Sequence, residues 1–363
     1  MNPRIQKLRT LLQKKKLDAI FISSLPNITY LTNFSGFSTE DRDAYLLITQ
    51  NEQYIFTHGI YKETVELHIK DFKLIAIQRE NPINIAIKKI VDEQQIRKLG
   101  FESFDLTVDE YDKLVKQIAK KILVPHDLIS TIRIIKSSEE IVAIQKACQL
   151  GDQAFLYICK QIRAGITEQE LATELTFFVK RHGADMSFPS IVAFGPNASQ
   201  PHHMPTNTKL TKNSLVLFDF GVTVNNYCSD MTRTIFFGKA TDKQKKVYET
   251  VLTAQNKAID ALTSHSIIKA SKIDKVARDY IISQDFPPIP HSIGHGIGLN
   301  VHEKPRLTPS SKDILTSGMV FSIEPGIYLP GEFGIRIEDL FALENNKLIQ
   351  LTNAPKNLQE IIK

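Results

Sequence analysis

Acidic side chains stand inside or directly beside apolar, strand-like runs at four places in the C-terminal half of this chain, which limits how it can fold. The runs are Leu215–Val222, Tyr227–Phe237, Met319–Ile323 and Gly334–Phe341, and the acids are Asp219, Asp230, Glu324 and Glu338. A charge buried among apolar groups is expensive unless it is paired or bound to a cation. If the first two runs form an antiparallel hairpin centred between Val224 and Asn225, Asp219 and Asp230 face each other. Direct cross-strand partners have Cβ atoms about 4.5–5.5 Å apart. The pattern repeats, because Glu324 and Glu338 lie seven residues either side of Gly331 in a turn containing Pro330-Gly331. Two facing pairs of like charge ask for metal. Four carboxylates balance two divalent cations, and an oxygen-rich set with one or two histidines suits manganese, cobalt, zinc or iron. The imidazole candidates are His291, His295 and His302, in a glycine-rich stretch. The glycines flanking His295 are expected to let the backbone approach a ligand closely.

At 363 residues the chain has length for about two domains. We place them at 1–130 and 131–363, with the boundary in Pro125–Lys136. In the first, Ile5, Leu8, Leu11 and Leu12 share a helical face, and Leu17–Ile22 reads as a buried strand. Ala44–Thr49 and Gln53–Thr57 read as a hairpin, Leu74–Ile77 as a strand and Ile83–Val91 as a helix. A helix around Tyr111–Ile122 is expected to stop before Pro125. His58 and His68 are isolated, without ligand spacing. Beyond the boundary, Ser137 with Glu140 and Thr167 with Glu170 spell two capping boxes. The first opens a long amphipathic helix that Gly165 is expected to stop; the second opens a helix to about Arg181.

Composition removes several classes. With 42% hydrophobic and 23% charged residues, wholesale disorder is excluded. A net charge of +5 is too mild for a nucleic-acid binder, and Lys14–Lys16 reads as a solvated helix face. Cys148, Cys159 and Cys228 match no zinc knuckle or disulfide framework and fit a reducing cytoplasm. No stretch approaches the roughly 18 apolar residues of a membrane span, and Ala19–Ile22 is too short for a signal-peptide core. A cytoplasmic chain with neither nucleic acid nor membrane as partner is expected. Gly294-His295-Gly296-Ile297-Gly298 departs from the dinucleotide fingerprint, and His302-Glu303 lacks the second histidine of a zinc-protease helix. No nucleophile elbow or phosphate loop is present.

The ordered set Asp219, Asp230, His295, Glu324, Glu338 resembles the five metal ligands of the pita-bread metallopeptidases. The surrounding words match as well: Phe218-Asp219-Phe220-Gly221, Ser229-Asp230-Met231-Thr232-Arg233-Thr234, Gly294-His295-Gly296-Ile297-Gly298-Leu299, Ile323-Glu324-Pro325-Gly326 and Gly334-Ile335-Arg336-Ile337-Glu338-Asp339. Asn27–Thr32 and the hairpin around Phe56-Thr57 resemble the creatinase-type N-terminal domain, with His58 where an aspartate is common. The likeness is to the proline-specific branch, Xaa-Pro aminopeptidase and Xaa-Pro dipeptidase, with the aminopeptidase as the first reading and the dipeptidase as the alternative. It implies an α+β protein: a creatinase-like N-terminal α/β domain, then a pita-bread domain with a curved antiparallel sheet covered by helices. Methionine aminopeptidase and a metal-free pita-bread binding module are set aside, the first on the N-terminal domain, the second on five intact ligands.

The same resemblance implies two divalent metal ions, manganese foremost and cobalt or zinc as alternatives. Asp230 and Glu338 would bridge them, Asp219 would complete one, and His295 with Glu324 the other. A hydroxide between the ions is the implied nucleophile, with Glu324 as proton shuttle. His302 is implied beside the scissile carbonyl and His202 on the substrate side, with His203 its rival; His291 and Arg336 match further pocket positions. The implied partners are peptides with proline in second position and a second copy of the chain in a homodimer.

Overall fold

The computed structural model describes residues 2–38, 41–119, 122–263, 268–345 and 347–362. It separates into two compact units, Met1–Arg133 and Ile134–Lys363. Among the described residues no helix is long and apolar enough to cross a membrane.

The first unit is built on a six-stranded sheet, in spatial order Lys73–Ile77, Gln53–His58, Ala44–Thr49, Ala19–Ile22, Leu99–Phe101 and Leu123–Pro125. The two pairings made by Ala44–Thr49 are antiparallel and the other three are parallel. Alternation sends Phe21, Tyr45, Leu47, Phe56 and Phe101 to one face, where Ile87, Ile90 and Leu114 from two helices cover them. The first helix, Pro3–Lys15, starts as its sequence dictates. Asn2 caps it by accepting from Arg4 N, proline fills its first position, and Ile5, Leu8 and Leu12 are buried. Pro125 is not the helix stop expected of it. The helix is Val108–Gln117, opened by a Thr107/Glu110 capping box, and Pro125 ends an edge strand. The expected end near Ile122 falls beside residues 120–121, which lie outside the described residues. Glu102 is buried and accepts from Ser23 N, Ser24 N and Asn27 Nδ2.

In the second unit, helices Ser138–Gln161 and Glu168–Arg181 both open with the capping boxes read from the sequence. The first ends at Gln161, ahead of Gly165. They cover one face of a four-stranded sheet ordered Glu360–Ile361, Met231–Phe237, Ser214–Phe220 and Ile191–Phe194, where Phe155 meets Phe218 edge-on. A five-stranded sheet follows the order Glu303–Leu307, Gly294–Gly296, Val320–Ile323, Asp339–Glu344 and Lys347–Gln350. Helices Asp242–Thr263 and Ala270–Ser283 pack on the apolar cluster that both sheets supply. The four-stranded sheet is stitched to the stretch that leads into the five-stranded one: Glu338 N donates to Thr232 O at 3.1 Å, and Thr234 Oγ1 donates to Arg336 O at 3.0 Å. Those residues lie about a hundred positions apart, so no local pattern announces the seam.

Three of the four expected strands break or end at their acids, while Asp219 stays inside Ser214–Phe220. Tyr227–Cys228 and Met231–Phe237 are separate strands with Asp230 in the gap, and Phe333–Arg336 and Asp339–Glu344 leave Glu338 between them. Glu324 follows the end of Val320–Ile323. In the second hairpin Gly326 pairs with Arg336 and Ile323 with Asp339, so the register carries Glu324 opposite Glu338 as expected. In the first it does not put Asp219 opposite Asp230. Thr223 pairs with Cys228 and Asp219 with Thr232, so the turn is Asn225-Asn226, one residue beyond the expected centre. Both asparagines have positive φ, 50° and 70°, as a two-residue hairpin turn with the strands' twist requires. Asp230 is therefore a diagonal neighbour of Asp219 on the same face.

Candidate metal centre

Asp230, His295 and Glu338 each offer a ligand atom, and these atoms lie within 4.8 Å of one another; all three residues are buried. His295 Nδ1 donates to its neighbour's carbonyl, Gly296 O, at 3.1 Å, which leaves the Nε2 lone pair facing the acids. Nε2 lies 3.4 Å from Glu324 Oε1, 3.5 Å from Asp230 Oδ2 and 3.9 Å from Glu338 Oε1. Asp219 lines the same cavity, its Oδ2 accepting from Arg336 Nη2 at 2.5 Å. All five expected ligands are thus gathered, from two hairpins and one short strand.

The flanking glycines have a reason in the packing of the backbone. A Cβ on Gly294 would lie 2.1 Å from Ser322 O, and one on Gly296 would lie 2.0 Å from Lys304 O. Neighbouring backbone by itself demands them. Glu338 is held by Thr232, whose hydroxyl donates to Oε2 at 2.8 Å while accepting from Arg336 Nε at 3.0 Å. Beneath it, the buried Arg233 donates from Nη1 to Glu338 O at 2.5 Å and from Nη2 to Asp339 Oδ1 at 2.6 Å.

The electrostatics are those of a site short of positive charge. Burial, then Glu338 and Asp219, hold the Asp230 carboxyl well above the usual carboxylate range. Burial and Glu338 do the same to Glu324, and burial with Asp219 pushes Glu338 to about 7. Asp219 Oδ1, Asp230 Oδ1 and Glu338 Oε1 are buried without a hydrogen-bond donor among the described residues. Orphaned acceptors, mutually repelling acids and one imidazole lone pair fit divalent cations of borderline hardness.

These groups open on a cavity of about 440 Å³ that His202, His291, His302 and Arg336 also line. His203 points elsewhere, its Nε2 2.9 Å from Glu168 Oε2. His302 stacks edge-on against His295 at 4.4 Å; burial foremost, with neighbouring His295 and Arg306 adding to it, lowers its pKa to about 4. His291 is likewise lowered to about 4, by burial and then Arg336; its Nδ1 donates to Ser292 O, and Tyr328 OH lies 2.8 Å from Nε2. Phe188, Pro189, Ile191, Met204 and Val301 form the apolar part of the wall. Sequence reasoning overlooked Tyr328, which receives a hydrogen bond from Arg336 Nη1 at 2.6 Å and so joins Arg336 to His291. Its only sequence signal is alternation, since glycines at 326 and 334 leave room for its ring.

Residues 142–345 match the model of metallopeptidase family M24, and residues 4–135 that of the creatinase/prolidase N-terminal domain. The chain is 33% identical to an Xaa-Pro dipeptidase of Pyrococcus horikoshii, over 99% of both chains. Among solved structures it is similar to an Xaa-Pro dipeptidase from Bacillus anthracis, with a TM-score of 0.90 and 33% identity over 98% of this chain and 99% of that one. An X-Pro aminopeptidase from Thermotoga maritima gives a TM-score of 0.88 at 29% identity, with the same coverage.

Proposed function

The chain belongs to metallopeptidase family M24, with a creatinase-type N-terminal domain and a pita-bread domain, and from that premise we propose that it removes the N-terminal residue ahead of proline from peptides. The observation that carries the proposal is the meeting of four carboxylates and one imidazole, with three buried orphaned oxygens, at the wall of a peptide-sized cavity. Asp219, Asp230, His295, Glu324 and Glu338 would hold two divalent ions, manganese being the first to try. Bound there, the ions supply a water whose pKa is lowered towards neutrality.

The chain's own residues do the rest. Glu324, at the cavity wall and 3.9 Å from His291 Nδ1 by its Oε2, takes up a proton and returns it to the leaving proline nitrogen, which has none of its own. His302, neutral at physiological pH, donates to the scissile carbonyl oxygen as negative charge develops there. His202 and His291 orient the substrate, and Arg336 holds Asp219 in place. The apolar wall suits a pyrrolidine ring, which brings no N–H that needs an acceptor. Aminopeptidase action on longer Xaa-Pro peptides is the first reading. The names of the Pyrococcus and Bacillus relatives favour a second, restriction to dipeptides.

A chelation-and-rescue assay on an Xaa-Pro dipeptide and an Xaa-Pro-Yaa tripeptide tests both. Metal removal should abolish hydrolysis and manganese should restore it; activity that survives complete removal refutes the mechanism. Cleavage of the dipeptide alone selects the dipeptidase.

A further inference from the structure

Glu168 is a fully buried acid at the start of helix Glu168–Arg181, outside the metal centre and outside the cavity wall. Its carboxylate takes five hydrogen bonds. Oε1 accepts from Phe194 N at 2.8 Å and Asn197 Nδ2 at 2.9 Å. Oε2 accepts from Thr206 N at 2.9 Å, from Thr206 Oγ1 at 2.7 Å and from His203 Nε2 at 2.9 Å. The backbone repeats the attachment, since Glu168 N donates to Thr208 O and Gln169 N to Thr206 O. The donors come from both ends of one segment, 194–206, which carries Pro201, His202 and Met204 to the cavity wall.

We propose that Glu168 is a positioning residue for the peptidase reaction: one carboxylate ties both ends of segment 194–206 from behind and so fixes where His202 meets the substrate. The reason is geometric. Beyond Phe194, the last residue of its strand, the segment contains only a short 3-10 turn, Gly195–Ser199, so no sheet or long helix sets its path to the cavity. An ionised carboxylate in a dry site is a strong acceptor for several converging donors. Burial alone would raise the Glu168 pKa, but the hydrogen bonds from Asn197, His203 and Thr206 outweigh it and lower the pKa, so all five are made to the charged form. Adjacent histidines thereby divide the work: His203 anchors the segment and His202 faces the cavity.

The kinetic test of this inference rests on the exopeptidase reading; a second test does not. For the first, kcat/KM on an Xaa-Pro-Yaa peptide is measured for wild type, Glu168→Gln, His202→Ala and the double variant, all loaded with manganese to equal metal content. Glu168→Gln keeps the shape but turns one acceptor into a donor facing donors, and a misplaced binding group costs roughly 100-fold. In the His202→Ala background the same change should cost less than about threefold, because the group being positioned is gone. Equal losses in both backgrounds overturn the inference, because a purely structural role predicts them.

For the second, amide hydrogen exchange is compared in wild type and Glu168→Gln. Exchange at least about tenfold faster, confined to 194–206, is expected. Unchanged exchange there, or acceleration across the whole unit, overturns it. Thr206→Val removes one donor and leaves the carboxylate; it should give the same pattern on a smaller scale and serves if Glu168→Gln does not fold. A wild type inactive on every Xaa-Pro peptide, with the exchange result as expected, sinks the exopeptidase reading and leaves the positioning role standing.

Discussion

Replacing Thr232 by valine separates the support of the metal centre from the ligands themselves. The side chain is fully buried, and valine has its shape, so no cavity opens. The hydroxyl is what disappears: it donates to Glu338 Oε2 at 2.8 Å and accepts from Arg336 Nε at 3.0 Å. Each is a hydrogen bond to a charged group, of about 1.5–3 kcal/mol. Because both act through one atom they do not simply add, and the expected loss is about 2–4 kcal/mol. For a unit of this size that lowers Tm by roughly 5–15 °C. Losing a partner that orients a ligand also weakens metal binding about 10–100-fold. Titration of the metal-free protein with manganese against a competing chelator reads the affinity directly, and thermal unfolding reads the stability. Thr232→Ser restores the hydroxyl and should recover most of the affinity. A valine variant that binds manganese as tightly as wild type would refute the claim that Thr232 holds Glu338 in its binding position.

Asp230→Asn should abolish turnover on Xaa-Pro peptides and lower bound manganese while the protein stays folded, checked by metal analysis beside the assay; near-normal activity shows that Asp230 is no ligand. Asp339→Asn leaves the buried Arg233 without its carboxylate, and urea unfolding should report a loss of about 3–5 kcal/mol. Glu102 gives a pH test. Burial, only partly offset by hydrogen bonds from Ser24, Asn27 and Ser23, pushes its pKa from 4.5 to about 7. A raised acid favours the folded state below its unfolded pKa, and that contribution is lost as pH rises through about 7. The first unit should therefore be less stable at pH 8 than at pH 5 by about 3 kcal/mol from this group, read by native-state exchange of its amides. Glu102→Gln should remove that slope; an unchanged slope refutes the assignment.

Features written into consecutive residues were legible in advance. The capping boxes at Ser137 and Thr167 need only residues three apart, and both form. The Glu324–Glu338 register was legible because the turn around Gly331 is symmetric about a single residue. The Asp219–Asp230 register was misjudged by one residue at its centre. Asn225 and Asn226 both accept positive φ, and the run Val222–Asn226 holds no glycine to mark the turn. The seam was beyond reach, because Thr232 and Glu338 contribute a hydroxyl and an acid with no local periodicity between them. Glu168 escaped notice for a related reason: in a capping-box sequence an acid near the helix start reads as a dipole partner, whereas its five donors lie 26 to 38 residues downstream.

Gly294 and Gly296 let the backbone on either side of His295 lie close against Ser322 O and Lys304 O, which belong to the main chain. Carbonyl oxygens are common to every amino acid. The Lys304 side chain can therefore be exchanged without disturbing that contact, whereas Ser322 also acts through its hydroxyl, which accepts from His295 N and donates to Glu324 Oε1, and the glycines themselves leave no room for a Cβ. Two positions with no side chain at all are, on this account, among the least negotiable in the molecule.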